Sequence, residues 1–134
     1  MDRAELTRWI AAYERAWRTP GTEPLTALFA PEATYKTAPY EPPYRGLEAI
    51  TEMWERNRTA LDEVFEMSYE IVAVEGAAGV ARVEVRYGDP VEIEYRDLWV
   101  VRLDAGRCVA FEEWPFWPPG QEGTWASGPS GGSV

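Results

Sequence analysis

Residues 93–113 read IEYRDLWVVRLDAGRCVAFEE and alternate for the most part between apolar and polar side chains. A period of two residues is typical of a β-strand with one buried face. The alternation is interrupted at Asp104-Ala105-Gly106, whose residue types favour a tight turn, so the stretch predicts a hairpin. Within it, Asp97 lies between Tyr95 and Trp99 on the face that is otherwise apolar.

The same alternation extends back along the chain to residue 65. Odd-numbered positions are apolar from Phe65 to Ala73 and again from Ala81 to Tyr87. Short turns separate these runs, so we predict four long strands that form an antiparallel meander.

The N-terminal half follows the helical period instead. Apolar residues recur at helical spacing from Leu6 to Trp17. Two further helices are predicted to begin after Pro24 and after Gly46, with a short strand around residues 33–37 between them. Helices followed by strands indicate an α+β fold in which the helices cover one face of the sheet.

The length of 134 residues corresponds to about one domain, which we place at residues 1–117. Residues 118–134 contain five Gly, three Pro and three Ser, and this composition is too poor in apolar side chains to form a core. We therefore predict a flexible tail after the domain.

Composition excludes several classes of function. Thirteen Lys and Arg against 23 Asp and Glu give a net charge of −10, which repels nucleic acids and anionic membranes. The chain has no histidine, so catalytic triads and metal sites that need imidazole are excluded. We expect no metal and no cofactor, because the acids are not spaced as a binding loop and no Gly-rich phosphate loop is present. The N-terminus has no apolar run, so we expect a cytoplasmic protein.

Two acids are expected to meet on the apolar face of the hairpin. A three-residue loop at Asp104-Ala105-Gly106 sets Asp97 directly opposite Glu113 on the next strand. A two-residue loop would place Trp99 opposite Glu112 and lose the apolar match, so we favour the first register.

Facing carboxyl groups on an apolar surface do not both ionise cheaply, so burial and repulsion should raise at least one pKa. We therefore take Asp97 and Glu113 as candidate catalytic residues that exchange protons near neutral pH. The alternative is that they lie at the rim of the sheet or pair with Arg45, Arg58 or another arginine.

The aromatic residues are more numerous than core packing requires. We expect part of them to line a pocket for a flat, apolar ligand, with tyrosine hydroxyls that orient it. The candidate lining residues are Tyr13, Trp17, Tyr35, Trp54, Tyr69, Tyr95, Trp99 and Phe111.

The even-numbered face of the strands should point outward. Arg82, Glu84 and Arg86 give it an alternating charge, which is typical of a solvated surface. Its apolar positions should form one patch that is too large to remain exposed, so we predict a homodimer through the outer sheet face. The patch comprises Val72, Val74, Val80, Leu98, Val100, Cys108 and Ala110.

Four local segments carry a resemblance to a known family. They are Tyr13-x-x-x-Trp17 at the end of the first helix, Leu28-Phe29-Ala30-Pro31-Glu32-Ala33, Gly46-Leu47-Glu48-Ala49-Ile50 and Arg96-Asp97-Leu98-Trp99-Val100-Val101-Arg102. Together they resemble the nuclear transport factor 2-like superfamily and its SnoaL-like branch. The resemblance implies a cone-shaped, curved antiparallel sheet, with four long strands plus a short one, wrapped round three N-terminal helices and enclosing an apolar pocket. It also implies frequent dimers.

The same resemblance bears on the site. In SnoaL-like cyclases an acid on the last strand stands next to a histidine, and the aligned positions here are Glu113 and Phe111. The limonene epoxide hydrolase family uses an Arg-x-Asp on one strand with an Asp on the last, for which Arg82, Glu84 and Glu113 are the counterparts.

We expect an acid/base enzyme of isomerase, dehydratase or hydrolase type that acts on a small, apolar carbonyl compound or epoxide. Asp97 and Glu113 would be base and acid, and Tyr13 or Tyr35 would stabilise a developing oxyanion. The alternatives are a non-catalytic small-molecule-binding domain and a dimerising scaffold.

Overall fold

The computed structural model describes residues 1–57 and 64–120. Within these residues, three helices precede most of a six-stranded sheet, which gives the predicted α+β order. The helices are α1 (Arg3–Arg18), α2 (Leu25–Leu28) and α3 (Leu47–Asn57). The strands are β1 (Phe29–Lys36), β2 (Tyr44–Arg45), β3 (Phe65–Glu75), β4 (Ala78–Tyr87), β5 (Ile93–Asp104) and β6 (Arg107–Phe116).

Helix α1 begins at a side-chain cap and buries one apolar stripe against the sheet. The Asp2 carboxylate accepts a hydrogen bond from the backbone N–H of Glu5 at 2.8 Å, which satisfies one of the free donors of the first turn. The buried residues of the helix are Leu6, Trp9, Ile10, Tyr13 and Ala16. Their spacing of three or four residues places them on one face, as predicted. None of the described helices is long and apolar enough to cross a membrane.

The sheet has the strand order β2-β1-β6-β5-β4-β3. Strands β3 to β6 form the predicted antiparallel meander. The short predicted strand is β1, which starts at Phe29 and runs parallel to β6, and the two-residue β2 lies antiparallel to it. The curved, unclosed sheet and its helices form the predicted cone.

The register of the β5–β6 hairpin differs from both predicted registers. Ala105 and Gly106 adopt φ values of 53° and 85°, so the turn has two residues and pairs Asp104 with Arg107. Val109 is then an extra residue, because Leu103 pairs with Cys108 and Arg102 with Ala110.

The turn and the bulge together displace the pairing by two residues from our prediction. Glu113 therefore lies opposite Trp99, and Asp97 lies opposite Pro115. Because side chains alternate with a period of two, a displacement of two leaves both acids on the inner face. They are diagonal neighbours rather than a directly opposed pair.

Two bulges also correct the predicted outer patch. Cys108 is fully buried and pairs with the core residue Leu103, so it faces inward. On β3 the register shifts at Val72, and Val74 then pairs with Gly79 and packs against the core. An alternating pattern cannot reveal a bulge, and each bulge reverses the faces beyond it.

The outer patch gains two aromatic residues that we did not assign to it. Trp114 pairs with Leu98 and has 40% of its surface exposed, and Phe116 is 56% exposed. The corrected outer patch thus comprises Val72, Val80, Leu98, Val100, Ala110, Trp114 and Phe116.

Leu6 of α1 packs directly against Gly79 of β4. A Cβ atom at this position would lie 2.6 Å from Leu6 Cδ2 and 3.2 Å from Met1 Sδ. We predict that Gly79→Ala lowers the free energy of unfolding by about 1–3 kcal/mol, because Leu6 is buried and has to move. Urea denaturation measures the change. The double variant with Leu6→Val should lose less than the sum of the two single variants, and full additivity would contradict the contact.

Candidate active site

A cavity of about 60 Å³ lies between α1, α3 and the inner face of the sheet. This volume corresponds to about two water molecules. Its lining combines aromatic, apolar and acidic side chains. The lining residues are Tyr13, Trp17, Tyr35, Met53, Asn57, Phe65, Met67, Val85, Tyr87, Tyr95, Asp97, Trp99 and Glu113.

The structure brings both candidate acids and part of the candidate aromatic residues to this cavity. Tyr13, Trp17, Tyr35, Tyr95 and Trp99 line it. Sequence reasoning missed Met53, Asn57, Phe65, Met67, Val85 and Tyr87 as lining residues. The odd-position rule contained a signal for the four strand residues, whereas nothing in the α3 sequence singled out Met53 and Asn57.

Three predicted lining residues pack elsewhere. Phe111 is buried behind the lining, and its ring stacks on Tyr35 with centroids 4.4 Å apart. Trp54 is fully buried, with its ring centroid 5.1 Å from that of Tyr13. Tyr69 lies on β3 and packs against the outside of the core. These corrections arise because a cone of this size needs bulky side chains to fill it.

Asp97 is the one charged residue among the described residues that is buried, with 1% of its surface exposed. The indole N–H of Trp99 donates a hydrogen bond to Asp97 Oδ2 at 3.0 Å. Asp97 Oδ1 is buried and receives no hydrogen bond from an N–H or O–H group of the described residues. One oxygen of the carboxyl group therefore still needs a donor.

Glu113 joins a chain of hydroxyl groups on the other side of the pair. The Tyr35 hydroxyl donates to Glu113 Oε1 at 3.0 Å, and the hydroxyl groups of Tyr35 and Tyr13 are 2.8 Å apart. Strand β1 brings Tyr35 here, because its parallel register sets Tyr35 beside Phe111, two residues before Glu113. Tyr13 comes from α1.

The environment determines which acid carries a proton. Burial raises the pKa of Asp97 to about 6, and hydrogen bonds with Glu113 and Trp99 oppose the rise. Burial raises the pKa of Glu113 well above its usual range, and the charge of Asp97 and the hydrogen bond with Asp97 raise it further. Because burial and the charge of Asp97 both raise the pKa of Glu113, a single proton on the pair is held mainly by Glu113. A protonated Glu113 also supplies the donor that Asp97 lacks.

The tyrosine hydroxyls remain neutral donors. Burial raises the pKa of Tyr13 and Tyr35 well above the usual value, and the charge of Glu113 is the second cause for both. Burial likewise raises the pKa of Tyr95.

Arginine does not neutralise the pair within the described residues. Neither Asp97 nor Glu113 forms an ion pair with a described Arg or Lys, and Arg45 is exposed on β2. Arg58, the other arginine that we considered, lies outside the described residues. Arg82 points outward, where it binds Glu70 at 2.7 Å, so the Arg82-x-Glu84 motif does not reach the cavity. No cluster able to hold a metal ion exists within residues 1–57 and 64–120.

Comparison with protein families matches residues 8–111 to the SnoaL-like domain. No functionally curated protein matches the chain. Among solved structures, an LEH-like epoxide hydrolase from M. tuberculosis has a TM-score of 0.67 at 18% identity, with 84% of each chain covered.

Two further structures share the fold. A steroid delta-isomerase from Pseudomonas aeruginosa has a TM-score of 0.61 at 24% identity, covering 87% of this chain and 82% of its own. A de novo designed protein with a curved β-sheet has a TM-score of 0.67 at 17% identity, covering 93% and 94%. Since such different proteins share one fold, the fold alone does not determine an activity.

The Trp99 hydrogen bond gives a test of the electrostatics. We predict that Trp99→Phe raises the pKa of Asp97 above its value of about 6, because the indole N–H stabilises the ionised carboxylate. Carboxyl titration followed by NMR measures the change. Trp114→Phe is the matched control, because its indole binds the carboxylate of Glu112 outside the cavity. An unchanged Asp97 titration in Trp99→Phe would contradict the assignment.

Proposed function

Since the chain belongs to the SnoaL-like domain family, we propose that its cavity is the active site of an acid/base enzyme. The substrate is a small, mostly apolar carbonyl compound or epoxide, and the reaction is of isomerase, dehydratase or hydrolase type. One observation carries the proposal: two carboxyl groups without a cationic partner among the described residues lie in the wall of one largely aromatic cavity, where burial raises the pKa of both.

The difference in pKa between the acids supports one assignment of roles. Asp97 is the base, because it is ionised above about pH 6. Glu113 is the acid, because it keeps its proton at higher pH. With a carbonyl substrate, Asp97 takes a proton from the carbon next to the carbonyl group while Glu113 gives its proton to the carbonyl oxygen. The product of this step is an enol, and the reverse transfers return the enzyme to its starting state.

Tyr35 and Tyr13 act through Glu113. The Tyr35 hydroxyl donates to Glu113 Oε1, so it stabilises the carboxylate that remains once Glu113 has given its proton away. Tyr13 positions Tyr35 in turn. The low dielectric of the aromatic wall strengthens these interactions during the reaction.

An epoxide substrate would use the same two groups with water as co-reactant. Asp97 accepts a proton from the attacking water, and Glu113 protonates the epoxide oxygen as the C–O bond breaks. The product is a diol.

The burial of Asp97 favours a second candidate function. Only 1% of the surface of Asp97 is exposed, and the cavity beside it has a volume of about 60 Å³. A substrate therefore has little room to reach this base. The second candidate is therefore non-catalytic binding of a small molecule.

Deuterium exchange distinguishes the two candidates. We predict that the protein catalyses exchange of the α-protons of butanone in D₂O, followed by NMR. The rate should rise with pH through about 6, as Asp97 loses its proton, and fall when Glu113 loses its own. Asp97→Asn and Glu113→Gln should each lower the rate by about 10²–10⁴-fold. Asp104→Asn, in the exposed hairpin turn, is the control. Binding of butanone without exchange would favour the second candidate.

We also propose a homodimer through the outer sheet face, in which the corrected outer patch forms the interface. Its apolar side chains lie in adjacent cross-strand rows, with Val80 beside Val100 and Leu98 beside Trp114. We predict that Leu98→Asp gives a monomer at micromolar concentration, measured by light scattering after gel filtration. Val91→Asp, at an exposed position outside the patch, should leave the dimer intact. A monomeric wild-type protein would refute the proposal.

A further inference from the structure

The lining of the cavity divides into two chemical sets. One set is polar and contains the carboxyl pair with the hydroxyls of Tyr13 and Tyr35. The other set is apolar and contains Met53, Phe65, Met67 and Val85. Asn57, at the C-terminal end of α3, is the one amide among the described residues of this lining.

The Asn57 amide has no strong hydrogen-bond partner within the described part of the chain. Its Oδ1 is buried and receives no hydrogen bond. Its Nδ2 lies 3.3 Å from Met53 Sδ, and a thioether sulfur is a weak acceptor. Among the described residues nothing donates to Oδ1, so its partner has to be water or a ligand in the cavity.

The position does not need an amide for packing. Asn57 follows Met53 by one helical turn, so the two side chains are neighbours on the same face of α3. A leucine or methionine of similar size would suit the apolar neighbours better. The amide thus faces the cavity as a binding group that a ligand has to complete.

A hydroxyl group suits this amide in a cavity of this size. Oδ1 needs a donor, and Nδ2 needs a better acceptor than sulfur. A hydroxyl group can donate and accept, so it can bind the amide in either orientation of the side chain.

We propose that Asn57 is a specificity-determining residue that binds a hydroxyl group of the ligand, which makes the preferred substrate a small hydroxy-carbonyl compound. The carbonyl part rests on the proposed function, whereas the hydroxyl part rests on Asn57 alone. The cavity volume of about 60 Å³ limits the ligand to a few non-hydrogen atoms unless flexible wall side chains such as Met53 and Met67 move.

A matched pair of probes tests the inference. Hydroxyacetone and butanone have the same number of non-hydrogen atoms and differ by a hydroxyl in place of a methyl group. NMR titration of the full chain gives the ratio of their dissociation constants. We expect Asn57→Leu to shift this ratio about tenfold against hydroxyacetone. Met67→Leu, which alters the same wall without changing a polar group, should keep the wild-type ratio.

The ligand-free protein provides a second measurement. Asn57→Leu should raise the melting temperature by about 3 °C, because it replaces a half-buried amide, whose oxygen has no donor among the described residues, with an apolar side chain among apolar neighbours. A lower melting temperature would indicate that the amide supports the fold, and this result would overturn the inference. Asn57→Met provides a second apolar variant if the leucine variant does not fold.

The two proposals fail in distinguishable ways. An unchanged probe ratio in both apolar variants overturns the role of Asn57, whatever the exchange rate of Asp97→Asn. A shifted ratio together with unaffected exchange in Asp97→Asn supports the role of Asn57 and overturns the proposed chemistry.

Discussion

The burial of the Asp97 and Glu113 carboxyl groups side by side is the constraint on which the rest of the site depends. Two carboxylates on an apolar wall would repel each other, so the pair is stable only while it keeps one proton. That proton needs acceptors and donors at fixed positions. Trp99 supplies a donor on one side and Tyr35 on the other. The parallel pairing of β1 with β6, at the end of the meander, brings Tyr35 there.

Periodicity predicted the helices, the meander and the inner face, because a helix or strand that buries one side has apolar residues at a regular spacing. It did not predict the hairpin register. The turn at Ala105-Gly106 is one residue shorter than we assumed, and the bulge at Val109 shifts the pairing by one more residue in the same direction. Both acids still lie on the same face, because the shorter turn and the bulge each shift the pairing by one residue, and a total shift of two residues leaves the faces unchanged. Cys108 and Val74 lie where the parity is reversed, so their faces were predicted incorrectly.

The aromatic residues show a different limit of sequence reasoning. Composition indicates that bulky rings are abundant, but it does not show which of them fill the cone and which surround a space. Trp54 and Phe111 fill it, and the space left beside Asp97 is small. Asn57 illustrates the converse, since a single amide near the end of a helix has no pattern around it. It is distinguished from a surface residue only by its buried amide oxygen, which receives no hydrogen bond from the described residues.

The bulge at Val109 affects which insertions and deletions in β6 the site can tolerate during evolution. Strand β6 contains one residue more than its pairing with β5 requires. Deletion of Val109 would remove the surplus residue. The other pairs, including that of Trp99 with Glu113, would stay in place. An insertion of one residue before Glu113 would not be absorbed in this way, and it would turn the Glu113 side chain to the other face of the sheet. Lineages that carry this hairpin should therefore tolerate shortening of β6 more readily than lengthening.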